Sequence, residues 1–152
     1  MSEQNAPHFS IEKIFLSDLS FESPQAPQIF TQQFQSSMDL QVKVDPTRLG
    51  EHHWQVALRL TITVKVEDQP AFLIEVEQSG LFAIANFADA DMGHLLNSYC
   101  PNLLFPYARE TVANLSLKGG FPPLELQALN FDALYNQQMA QQQQAQPETA
   151  AA

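Results

Sequence analysis

The segment WQVALRLTITVKV, residues 54–66, alternates apolar and polar side chains with almost no exception. Trp54, Val56, Leu58, Leu60, Ile62, Val64 and Val66 fall on one face. Gln55, Arg59, Thr61, Thr63 and Lys65, with Glu67 just beyond, fall on the other. Period two puts successive side chains on opposite sides of a strand, and β-branched residues suit that geometry. A strand this long with one apolar face commits the chain to a sheet whose apolar side must be covered by another layer.

Three further segments carry the same signal. In Phe9–Glu22 the odd positions Phe9, Ile11, Phe15, Leu19 and Phe21 are apolar, although Ile14 and Leu16 fall on the polar side. SPQAPQ (23–28) ends that run with two prolines. Met38, Leu40, Val42 and Val44 then alternate with Asp39, Gln41, Lys43 and Asp45, and residues 45–53 form a loop. EDQP (67–70) is a short turn. After it Phe72, Ile74 and Val76 point inward, while Leu73, Glu75 and Glu77 point outward. The expected fold is α+β: a four-stranded antiparallel β-meander, its successive strands joined by short polar turns, with helices packed on one face.

The second half supplies the cover. A short helix is expected from about Asp91, with a break at Cys100–Pro101. A second helix, bent at Pro106, should run to Lys118 before Gly119-Gly120, with Leu104, Ala108, Val112 and Leu115 as its apolar stripe. FPPLELQALN (121–130) cannot be helical at Pro122-Pro123 and reads as an extended connection over a surface. Asn130 caps a last helix with Asp132 in its first turn. The domain should span residues 9–136, between a flexible N-terminus (1–8) and a Gln/Ala-rich tail (137–152) that frays into disorder.

Composition narrows the function. The chain holds 17 acidic and 7 basic residues, a net charge of −10, which repels phosphate backbones and argues against nucleic-acid binding. A lone cysteine, Cys100, allows no intramolecular disulfide and suits a reducing compartment. The N-terminus lacks the pattern of a signal peptide, and no apolar run reaches the roughly 20 residues needed to span a bilayer, so a cytoplasmic protein without direct membrane insertion is expected.

Signals for catalysis are poor. His8, His52, His53 and His94 have no ligand spacing, and DADMG (89–93) lacks the glycine and glutamate of a calcium loop, so no metal site is expected. No phosphate-binding glycine loop is present, no cofactor is expected, and Cys100 reads as a packing residue. For a small-ligand enzyme of helix-wrapped sheet type, Asp89, Asp91 and His94 are the only candidates.

Two surfaces carry alternative readings. Asp18, Glu22, Leu73, Glu75 and Glu77 lie on the outward sides of their strands. They form either a solvated acidic face or a docking site for a basic partner, of the kind an adaptor would use. Met38, Leu40, Val42, Phe121, Leu124 and Leu126, with Phe131, Leu134 and Tyr135, are either plain core or the lining of a groove between strand and helix.

Four blocks, DLSFESPQAPQIF, AFLIEVEQSGLFAI, YCPNLLFPYARE and FPPLELQALNFDALY, occur in the order in which they stand in the SecB family of bacterial export chaperones, which the chain resembles from about residue 9 to 136. The resemblance implies a sheet with helices on one face and a homotetramer built as a dimer of dimers. It also implies ATP-independent binding of unfolded precursor proteins and their delivery to the translocase ATPase SecA. By position, Asp18, Glu22, Leu73 and Glu75 match the family's SecA-docking surface, and Glu77 shares their alternation. The tail departs from the acidic family pattern, because only Glu148 follows Asp132.

Overall fold

The computed structural model describes residues 5–145, so the expectations for residues 1–4 and 146–152 lie outside the described residues. Four strands form one antiparallel sheet: β1 (His8–Glu22), β2 (Ser36–Arg48), β3 (His53–Val66) and β4 (Gln69–Ala85). Their spatial order is β1-β4-β3-β2. Only β2, β3 and β4 form a meander. The expectation that β1 pairs with its sequence neighbour is corrected: β1 lies on the far side of β4. Residues 23–35 carry the chain across one end of the sheet to the opposite edge. Along that path Gln25 donates to the Pro70 carbonyl at 3.1 Å, and Ile29 sinks into the core from a 3₁₀ turn, Gln28–Thr31. A tight hairpin forces neighbours to pair; a long crossover segment with its own buried anchor does not.

The β3–β4 hairpin turns on Glu67 (φ 51°) and Asp68 (φ 63°), two consecutive left-handed residues of the kind a type I′ turn needs. It sets Val66 opposite Gln69 and Lys65 opposite Pro70; a register shift at Ala71 then puts Val64 opposite Phe72, which aligns the apolar rows of both strands. Leu58, Leu60, Ile62, Phe72, Ile74 and Val76 are all buried in those rows.

Strand β1 carries two bulges, one between Ile11 and Lys13 and one between Leu16 and Asp18. Each adds a residue and reverses which face the following side chains occupy. Ile14 and Leu16, which break the simple alternation, are thereby set opposite Gly80 and Gln78 on the helix side. Phe15, expected to point inward, is set opposite Ser79 on the outer side.

The helical layer begins with α1 (Asp89–His94), passes through a π turn (Leu95–Tyr99) and continues as α2 (Cys100–Lys118). The expected break at Cys100–Pro101 is therefore absent. The Cys100 N–H donates to the Leu95 carbonyl, five residues back, and this widened turn sits where the Pro101 ring would otherwise crowd the preceding turn. Pro106 lies inside α2 on its exposed side, where the carbonyl it leaves unpaired can meet water. The buried face of α2 includes Cys100, Leu104, Ala108 and Val112 and packs on β4 and β3. It approaches closely at Gly80, where a Cβ would lie 3.1 Å from a Leu104 methyl and 2.7 Å from the Phe82 ring. Burial pushes the Cys100 thiol up to about 12.

Helix α2 ends at Gly119-Gly120, with Gly120 at φ 88°. The connection 121–130 has no regular structure but is pinned by Phe121 and Leu126, both buried, and by the Leu124 N–H donating to the buried Ser116 hydroxyl at 2.8 Å. Asn130 caps α3 (Phe131–Ala145), its Oδ1 accepting from the Ala133 N–H at 3.0 Å. Residues 137–145, the first part of the expected tail, continue α3 as its helical end.

Candidate functional site

The outer face of the sheet brings the acidic residues together in rows. The antiparallel register sets Asp18 opposite Glu77, Ser20 opposite Glu75, and Glu22 opposite Leu73. On the other side of β4, Arg59, Thr61 and Thr63 face Glu77, Glu75 and Leu73. Like charges directly across a ladder repel, so Asp18 beside Glu77 needs a counter-charge. Arg59 provides it. Its Nη1 donates to Glu75 Oε1 at 2.9 Å, while Nη2 lies 3.5 Å from Asp18 Oδ2 and 3.5 Å from Glu77 Oε1. The hydrogen bond to Glu75 raises the Arg59 pKa above its ordinary value; burial opposes this, and the charges of Glu77, Glu75 and Asp18 add to it.

Three carboxylates share one guanidinium here, leaving a local charge of −2 (−3 + 1) before Glu22 is counted. Glu77 is the most enclosed of the three. It is held by Arg59 on one oxygen, and the Ser17 hydroxyl lies 3.0 Å from the other. Asp18 and Glu75 are more open to solvent. A shallow depression of about 160 Å³, lined in part by Ser20, Glu22, Leu73 and Glu75, adjoins them. Arg59 stands on the polar face of the sequence alternation, but its role depends on the cross-strand register, which the alternation does not contain.

The helix side holds the nine residues expected as core or groove lining, and burial divides them. Phe121 is 4% exposed, Leu126 1% and Phe131 3%, so these three belong to the core. Leu40, Val42, Leu124 and Tyr135 are half-buried, and Met38 and Leu134 are exposed. A cavity of about 190 Å³ separates β2 from α3, with Val42 and Val44 on one side and Leu134, Tyr135 and Gln138 on the other.

Sequence reasoning missed the aromatic group around Phe121. Its ring lies 4.5 Å from Phe72, 5.2 Å from Phe30 and 5.7 Å from Phe34, centroid to centroid. Phe30 remains 49% exposed and Phe34 37%. Both sit in the crossover segment, which has no periodicity to mark them. A further apolar row, Ile11, Leu16 and Leu19, lies uncovered on the helix side of β1, because α2 packs over β4 and β3 and not over that edge.

The candidate residues for catalysis are not assembled as a catalytic set. Asp89 and Asp91 occupy the exposed first turn of α1. His94 Nε2 meets Asp132 Oδ1 at 2.7 Å, and the Ser98 hydroxyl donates to that same oxygen. A nucleophilic serine requires its hydroxyl on the imidazole, with the carboxylate behind; here serine and imidazole both address the carboxylate. Asp132 is held below the usual carboxylate range by the hydrogen bonds from Ser98 and His94. Among the described residues no group of three or more His, Cys, Asp or Glu is arranged to hold a metal ion, and no helix is long and apolar enough to cross a membrane.

An open sheet with an acidic outer face and a partly uncovered apolar layer on the other side offers two unlike surfaces to other chains. Comparison with known proteins narrows the class of protein. The family model described as preprotein translocase subunit SecB matches residues 2–142. The protein-export protein SecB of Methylococcus capsulatus is 48% identical, over 98% of this chain and 99% of its own length. That of Nitrosococcus oceani is 50% identical, over 90% of this chain and 85% of its own. A solved SecB-like chaperone of Mycobacterium tuberculosis, in complex with a ChAD peptide from the HigA1 antitoxin, shares the fold. Its TM-score is 0.67 at 18% identity, covering 80% of this chain and 90% of that one. The chain belongs to the SecB family, the chaperones of protein export.

Proposed function

We propose that this chain acts in the cytoplasm as an ATP-independent holding chaperone. It binds unfolded precursor proteins along the helix-side apolar surface, keeps them competent for export, and passes them to SecA at the acidic face. The observation that carries this reading is the separation of two unlike surfaces on opposite sides of one sheet. An unfolded segment buries apolar side chains against Phe30, Phe34, Met38 and Leu134, with a driving force of roughly 25 cal/mol per Å² before ordering costs. A folded protein hides such segments, so selection rests on foldedness and not on one sequence. A basic partner meets Asp18, Glu75 and Glu22 on the other side, where charge sets orientation and association rate.

A homotetramer, built as a dimer of dimers, is part of the proposal. The uncovered row on β1 and the exposed Tyr107 and Leu117 of α2 are surfaces that further subunits would cover.

The test mixes the protein with one client held either unfolded or folded, and reads size-exclusion chromatography with light scattering. Co-elution of only the unfolded form with a tetramer is expected; a tetramer that ignores both forms refutes the client reading. Glu75→Lys should then abolish SecA binding and leave client binding intact. Simultaneous loss of both in a folded variant would mean that the two surfaces are not separate.

A further inference from the structure

Helix α3 is gripped only at its start. Phe131 is buried and Tyr135 half-buried, whereas every residue from Asn136 to Gln144 is exposed. Tyr135 rests against Gly93, where an added Cβ would collide with the phenol oxygen, and meets the His94 ring edge-on at 6.4 Å. Among the described residues, the polar anchorage of α3 to the helices beneath it is Asp132, whose Oδ1 accepts from Ser98 and contacts His94 Nε2. Ser98 is only 4% exposed, so its hydroxyl has little access to water as a substitute partner. Hydrogen bonds to a carboxylate are about twice as strong as neutral ones.

The geometry points to Ser98, His94 and Asp132 as a latch that fixes the tilt of α3 over β2 and thereby controls how long the groove between them retains a client segment. They act as positioning residues. A helix rises about 1.5 Å per residue, so the ten residues beyond Tyr135 span about 15 Å, and a tilt of about 15° at the first turn moves the far end by about 4 Å. The cavity between Val42, Val44, Leu134 and Tyr135 holds only about 190 Å³, so such a movement is large on its scale. The groove half of this inference rests on the client-binding reading above; the latch itself does not.

The test is hydrogen–deuterium exchange on the full chain, paired with the dissociation rate of a reduced, carboxymethylated protein that stays unfolded. In Ser98→Ala and Asp132→Asn, exchange of α3 amides should speed about tenfold, exchange in β3 and β4 should be unchanged, and client dissociation should speed by a similar factor. His94→Gln, whose amide can still donate to Asp132, should stay near wild type, whereas His94→Leu should behave like Ser98→Ala. Unchanged α3 exchange in both Ser98→Ala and Asp132→Asn overturns the latch. Faster α3 exchange with unaltered client dissociation overturns its link to the groove. Wild-type protein that binds no client at all overturns the client reading, while the exchange data still decide the latch.

Discussion

Phe121 and Phe30 have rings 5.2 Å apart in one aromatic group, yet one is 4% exposed and the other 49%. Truncating each to alanine should therefore separate support from binding surface. An aromatic side chain buries on the order of 200 Å², worth about 5 kcal/mol at 25 cal/mol per Å² as an upper bound. Because Phe121 also touches Phe72 and Phe34, its removal leaves a void the neighbours only partly fill, and Phe121→Ala should cost about 3–5 kcal/mol. Phe30 keeps half its surface in water and its removal encloses no void, so Phe30→Ala should cost about 1 kcal/mol. The assay is urea unfolding followed by Trp54 fluorescence at one fixed protomer concentration, since assembly would shift apparent stability. Binding of an unfolded client is then measured under conditions where each variant is folded. Phe30→Ala should weaken client binding out of proportion to its stability loss. A Phe121→Ala variant within 1 kcal/mol of wild type would refute the assignment of that ring to the core. Equal stability losses for the two would refute the division by exposure.

Gly80→Ala should destabilise by about 1–3 kcal/mol in the same unfolding assay, because the new methyl meets Phe82 and Leu104 and pushes α2 from the sheet. Asp68→Gly should stabilise by about 0.5–1 kcal/mol, because glycine adopts the φ of 63° without strain; a loss would mean that the Asp68 side chain supports the turn. The low pKa of Asp132 fixes a sign for pH. Its contribution is fully present above the ordinary value of 3.8 and is lost as pH falls through the lower folded value. The stability gap between wild type and Asp132→Asn should therefore be open above that value and close on acidification below it; a gap that widens there in equilibrium unfolding would refute the assignment.

The alternation in residues 54–66 and 72–77 determined the strands and their two faces, because side-chain direction in a strand follows from position alone. The same rule placed Leu73, Glu75 and Glu77 on outward positions, and Asp18 and Glu22 keep theirs because the two reversals at the β1 bulges cancel; the capping chemistry of Asn130 marked the start of α3. These are local properties, set by the nearest few residues. Sheet order, the two bulges of β1 and the π turn before Pro101 were decided by tertiary structure. Each depends on which distant segment supplies the partner for a backbone group. The same holds for function. Arg59 becomes the counter-ion of three carboxylates only once β1, β4 and β3 lie side by side, and Ser98 meets Asp132 only once α3 folds back over the π turn. Whether an apolar residue is core or open surface is likewise absent from its own alternation. Phe121 is buried and Phe30 is not because the helical layer and the crossover segment cover one and leave the other to solvent.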